Sequence, residues 1–189
     1  MITTDGIAYG KSRSDCSDSQ LQILLRLVEE TRNVHGAIVE IGSWKCGSSI
    51  MMASANRHKD VYAFDLFGGL PYGVGAGFEN FGQTDWDEIL SATEPYGVIL
   101  VRGKHEDTIP KVASTLGPLS LIFMDSDHYS SHKVALENLT PQLSPGGVIL
   151  FHDWTFPAVE QTVRETLDLS QFEMLCGTDM LHMGALKKK

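Results

Sequence analysis

Apolar residues recur along the chain in two rhythms. Leu21, Leu24, Leu25, Leu27 and Val28 fall at helical spacing behind a possible cap at Ser17 or Asp18, which predicts a helix over about 19–33 that stops at His35-Gly36. Short, nearly unbroken apolar runs follow: Ala37–Ile41, Val61–Asp65, Val98–Val101, Leu119–Met124 and Val148–Phe151. Between them lie segments of helical character at about 48–56, 85–93, 107–116, 132–143 and 157–169. Two more short strands are predicted near 172–175 and 180–186, joined by a turn around Gly177-Thr178-Asp179. Unbroken apolar strands alternating with helices imply an α/β domain whose mostly parallel sheet is covered on both faces.

The rhythm fails in two places. Residues 1–16 are polar and rich in Gly, Ser and Asp, so they are expected as a mobile N-terminal arm. Residues 67–84 are glycine-rich and aperiodic, and are expected as a lid loop whose Phe67, Tyr72, Phe78 and Phe81 cover a bound acceptor. With 189 residues and 42% hydrophobic positions, a single domain, 1–189, is the expectation. A net charge of −9 with no basic stripe argues against a nucleic-acid partner. No apolar run is long enough for a membrane span, and Cys16, Cys46 and Cys176 form no paired motif. A cytoplasmic protein with free thiols is expected.

The strand ends carry the chemistry. Glu40, Asp65, Asp125 and Asp153 each fall near the carboxyl end of a predicted strand. Right-handed crossovers gather those ends on one rim, where ligands of such sheets bind. After the first strand comes a turn, Glu40-Ile41-Gly42-Ser43-Trp44-Lys45-Cys46-Gly47-Ser48. A dinucleotide fingerprint needs glycine where Trp44 stands, and a triphosphate loop needs lysine where Ser48 stands. A ligand with a ribose and no phosphate fits better. Asp65, 25 residues after Glu40, is about where a ribose-binding acid belongs.

The turn resembles motif I of the class I S-adenosylmethionine-dependent methyltransferases. Met124-Asp125-Ser126-Asp127-His128-Tyr129, Leu143-Ser144-Pro145-Gly146-Gly147-Val148 and Phe151-His152-Asp153-Trp154 are similar to segments of a bacterial O-methyltransferase-like family related to macrocin-type sugar and catechol-type enzymes. The segment Gly103–Pro110 is similar as well. The resemblance implies a Rossmann-like, doubly wound, mostly parallel seven-stranded sheet with a C-terminal antiparallel strand and helices on both faces. It further implies S-adenosylmethionine as cofactor, with Glu40, Gly42, Ser43, Gly47 and Ser48 about its methionine portion. Asp65 and Leu66 would hold ribose and adenine, Lys104, His105 and Glu106 would surround the adenine, and Asp125 would lie near the amino group or a metal.

Methyl transfer to an alcohol needs an oriented acceptor and a base. Asp127, His128 and His152 are the catalytic candidates, and Asp125 with Asp153 are candidate Mg²⁺ ligands. The expected activity is O-methylation of a small-molecule hydroxyl on a sugar, phenol or natural product. The rival readings are a non-catalytic cofactor-binding module and a metal-dependent hydrolase. A homodimer is a plausible way to complete the acceptor site.

Overall fold

The computed structural model describes residues 4–68, 84–178 and 182–189. Seven strands form one sheet: β1 (Ala37–Ile41), β2 (Val61–Asp65), β3 (Val98–Arg102), β4 (Leu119–Met124), β5 (Leu143–Phe151), β6 (Phe172–Thr178) and β7 (Met183–Lys188). Their order is β3-β2-β1-β4-β5-β7-β6. β1 to β5 pair in parallel, whereas β7 runs antiparallel to both of its neighbours. Every residue of β1 and β4 is buried, which is why both read as unbroken apolar runs.

Helices α1 (Thr4–Arg13), α2 (Asp18–Glu30), α3 (Gly47–Ala55), α4 (Trp86–Thr93), α5 (His105–Val112), α6 (Tyr129–Leu139) and α7 (Pro157–Thr166) complete the fold. Leu24 and Leu27 of α2, Ile50 of α3 and Ile89 of α4 share one core with Ile38. Ile109 of α5, Leu136 of α6 and Val163 of α7 share the other with Val39 and Ile41. The alternation along β1 thus sends neighbouring side chains to opposite faces. α2 begins with a reciprocal cap: Ser17 Oγ accepts from Gln20 N–H, and Gln20 Oε1 accepts from Ser17 N–H.

The segment expected as a mobile arm holds α1, packed against α3. Its glycines are contact points. A Cβ on Gly10 would stand 2.5 Å from Gly47 O, a Cβ on Gly47 would stand 2.6 Å from Gly10 O, and one on Gly6 would strike the Ser54 side chain. Close helix approach therefore explains residues that composition alone made look flexible.

The expected lid also changes at its start. Phe67 is buried and its ring lies 5.6 Å from that of Trp86, so it belongs to the core. The remainder of the expected loop, with Tyr72, Phe78 and Phe81, lies outside the described residues.

Candidate active site

Sheet order reverses between β1 and β4, so the chains leaving these strands diverge and open a crevice at the rim. The two exits come very close. Gly42 has φ +89°, and a Cβ there would lie 2.5 Å from Asp125 O and 2.8 Å from Asp125 C. Only glycine permits this approach. Trp44 and Cys46 also have positive φ, 43° and 58°, which costs about 1–3 kcal/mol each and must be offset by the surroundings. One such support is Asp65, whose Oδ2 accepts from Trp44 N–H at 2.8 Å.

Glu40 points to the α3 face and is fully buried. Its two carboxylate oxygens accept from the Ser48 and Ser49 hydroxyls at the start of α3. Burial lifts it to about 7, against the pull of those hydroxyls. It is not among the cavity-lining residues, so it shapes the turn from beneath.

The crevice is a cavity of about 380 Å³, within the range of small-ligand sites. Gly42, Ser43, Gly47 and Ser48 line it from the turn, Asp125, Asp127 and His128 from the β4 exit, and His152 and Asp153 from the β5 exit. Asp65, Leu66, Lys104, His105 and Glu106 are not on its wall. Two of these, Asp65 and His105, are held at the ends of β2 and β3. Asp65 Oδ1 accepts from Phe67 N–H at 3.0 Å, Asp65 O accepts from Gly103 N–H at 3.0 Å, and His105 Nε2 lies 3.3 Å from Phe64 O.

The deep end of the cavity is acidic. Burial raises Asp125 well above the usual carboxylate range, Glu40, Asp127 and Asp153 add to the rise, and His152 opposes it. His152 Nδ1 lies 3.2 Å from Asp125 Oδ1 and 3.2 Å from Asp153 Oδ2, and its Nε2 lies 2.9 Å from Gln20 Nε2. Burial disfavours the charged ring, but the contacts to Asp153, Cys16 and Asp125 outweigh it and raise the imidazole to about 11. Both ring nitrogens are thus engaged, which suits a residue that holds its neighbours better than a free base.

Asp127 differs. It is exposed and makes no hydrogen bond or ion pair with a described residue. Partial desolvation against the cavity wall, then Asp153, raises its pKa. His128 is exposed at the N-cap of α6, and its side chain caps nothing.

Arg13, Cys16, His132 and Phe156 are among the wall residues that the sequence reading did not assign to the site. Arg13 donates from Nε to Lys45 O at 2.9 Å and from Nη1 and Nη2 to Glu88 at 2.5 and 3.0 Å. It ties α1 to the turn and to α4 across sequence gaps that no local pattern records. His132 is buried and donates from Nε2 to Ser126 O at 2.5 Å. Phe156, 54% exposed, stands at the mouth.

Comparison with known proteins agrees with this geometry. A tetracenomycin-pathway relative from Streptomyces olivaceus, 8-demethyl-8-(2,3-dimethoxy-alpha-L-rhamnosyl)-tetracenomycin-C 4'-O-methyltransferase, is 34% identical over 154 residues, covering 70% of this chain and 58% of the relative. Demethyldecarbamoylnovobiocin O-methyltransferase from Streptomyces niveus is 28% identical, covering 77% of this chain and 64% of that protein. The chain spans about three fifths of the length of these curated relatives. The solved structure of the O-methyltransferase NovP superposes with a TM-score of 0.75 at 23% identity, covering 90% of this chain and 79% of that one, and so shares the fold. A family model described as a methyltransferase domain matches residues 39–154, from within β1 through the β5 exit, and so includes the cavity wall from Gly42 to Asp153. That match covers more than half of the sequence, and the chain belongs to this methyltransferase-domain family.

Proposed function

We propose that the chain transfers the methyl group of S-adenosylmethionine to a hydroxyl oxygen of a small molecule of the sugar, phenol or natural-product kind. One observation carries the reading: a glycine turn and Asp127, a carboxylate with no hydrogen-bond partner among the described residues, share one cavity at the point where sheet order reverses. The relatives named above, two O-methyltransferases whose names specify antibiotic substrates, support the acceptor class.

In this reading the turn residues Gly42, Ser43, Gly47 and Ser48 hold the methionine portion. Asp65 and Leu66 take the ribose and adenine, and Lys104, His105 and Glu106 flank the adenine. The cofactor, when bound, supplies an electrophilic methyl on a cationic sulfonium. The acid-walled end of the cavity suits that positive charge. Asp127 accepts the acceptor's hydroxyl proton as the oxygen attacks the methyl carbon and the carbon–sulfur bond breaks, leaving a neutral thioether. Phe156 offers a flat apolar surface to the acceptor.

Mg²⁺ has a poor cradle at Asp125 and Asp153. The facing oxygens of this pair share His152 Nδ1, with the Cys16 thiol at 3.9 Å from the second oxygen of Asp125. Imidazole and thiol are poor partners for an ion that prefers oxygen and water. We therefore assign Mg²⁺ no part in the step.

Two measurements test the reading. Calorimetry with S-adenosylhomocysteine should show binding, and labelled cofactor should methylate a member of a panel of deoxysugar glycosides and phenols. Asp127→Asn should keep that binding within about twofold and lower turnover by about 100-fold or more. The wild-type rate should fall as pH drops through the raised pKa of Asp127, since the base works only when deprotonated. Folded protein that does not bind S-adenosylhomocysteine refutes the proposal, and an unaffected Asp127→Asn variant removes Asp127 from it.

A further inference from the structure

One corner of the cavity brings three different ligand types together. Cys16 comes from the link between α1 and α2, Asp125 from the β4 exit and His152 from the β5 exit. One ligand atom from each lies within 4.8 Å of the others. The Cys16 thiol is 3.9 Å from Asp125 Oδ2, and His152 Nδ1 is 3.2 Å from Asp125 Oδ1. In a tetrahedral zinc site, bonds of about 2.0–2.3 Å set neighbouring ligand atoms about 3.3–3.6 Å apart. The Asp125–His152 pair is at a ligating separation and the Cys16–Asp125 pair is a few tenths of an ångström wider, each through a different Asp125 oxygen, so modest side-chain rotation would draw all three onto one ion.

Their backbones are fixed. Asp125 N–H donates to Ile41 O at 2.8 Å, and His152 N–H donates to Met124 O at 2.9 Å. Cys16 N–H donates to Ser14 Oγ at 3.2 Å, next to the glycine-mediated contact of α1 with α3. All three side chains are half-buried, and all line the cavity. A bound ion would keep an open position toward it, with Asp153 alongside.

We propose that Cys16, Asp125 and His152 bind a transition-metal ion of the zinc class through one sulfur, one oxygen and one nitrogen. Thiolate and imidazole select such ions over Mg²⁺. Two of its three ligands, Cys16 and His152, lie outside the glycine turn and the β4 exit.

The surroundings make a second, sharper demand. A metal on Nδ1 leaves the ring proton on Nε2, which faces Gln20 Nε2 at 2.9 Å. The oxygen of that amide is already taken by Ser17 N–H in the α2 cap. The amide can accept from that N–H only by turning over, which releases the cap. A carboxylate in place of the amide accepts from both groups at once and forms the carboxylate–histidine–metal arrangement that strengthens such ligands.

The chelator-treated 189-residue chain is titrated with Co²⁺ and followed by absorption. The expected result is a sulfur-to-cobalt charge-transfer band with intense visible bands of a tetrahedral site, reaching a plateau at one ion per chain. Zn²⁺ should displace the Co²⁺, and excess Mg²⁺ should not. Cys16→Ser should abolish the charge-transfer band and weaken Zn²⁺ binding about 100-fold, whereas Gln20→Glu should tighten it about tenfold. Calorimetry with S-adenosylhomocysteine, run on the same samples, separates failure of the metal site from failure of the methyl-transfer reading. A folded wild-type chain that gives no charge-transfer band overturns the proposal, and so does a band that persists in Cys16→Ser.

Discussion

Asp65 and Asp125 look alike in the sequence, each at the end of an apolar strand flanking β1. Their surroundings are opposite. Asp65 uses both oxygens to accept backbone N–H groups, from Trp44 and Phe67. Asp125 faces a thiol, an imidazole and three other acids, and burial favours its protonated form. The difference follows from position. β2 ends beside a turn whose amides point at it, whereas β4 ends in the seam where Gly42 brings two backbones together and side chains from three exits converge. An acid at a strand end therefore marks the rim, while its neighbours decide whether it holds structure or shapes a site.

The seam half of this contrast breaks most readily at Gly42. Gly42→Ala combines a positive φ with a backbone clash, and an expected loss of about 4 kcal/mol lowers the melting temperature by about 10 °C in a thermal scan. Gly97→Ala is the control. Its φ is +70° but its Cβ meets open space, so about 1 kcal/mol is expected. Equal losses at the two positions remove the seam from the account.

A smaller effect comes from Glu40, beneath the turn. The folded state holds its proton more tightly than the unfolded chain, with the pKa raised from 4.5 to about 7. Its contribution is fully present below about pH 4.5 and is lost as pH rises through about 7, an effect of about 3 kcal/mol. Glu40→Gln should flatten that fall, read as urea unfolding free energies at pH 5 and pH 7.5. An unchanged slope would mean that Glu40 titrates normally.

The smallest change separates the two aspartates themselves. Asp65→Asn presents an amide nitrogen to one of two backbone N–H groups, with an expected loss of about 1–2 kcal/mol. Asp125→Asn removes a carboxylate crowded by other acids, and should leave stability at pH 8 unchanged or raised. Similar losses in both variants would erase the distinction.

Much of the fold was legible because burial on both faces leaves a plain signature. β1, β2 and β4 begin and end where their apolar runs do, and the convergence of acids at strand ends pointed to the rim where the cavity opens. What failed were contacts between distant segments. Gly6 and Gly10 suggested a loose arm, yet they are small because Gly47 and Ser54 press against them. Phe67 suggested a lid, yet its positive φ turns it into the core. His152 read as a base, yet its ring is enclosed by Asp125, Asp153 and Gln20. Cys16 carried no signal, since its partners lie more than a hundred residues away.

The insertion of β7 between β5 and β6 has a consequence for biosynthesis. As the chain leaves the ribosome, β5 appears with its outer edge, Val148–Phe151, unpaired, and β6 follows without filling the gap. At about 5–20 residues per second, the strand that covers this apolar edge arrives roughly two to seven seconds later. During that interval the nascent domain carries an open strand edge of the kind that recruits other chains. Chains truncated before Met183 keep this edge permanently, and sedimentation of expression lysates should find them in the insoluble fraction.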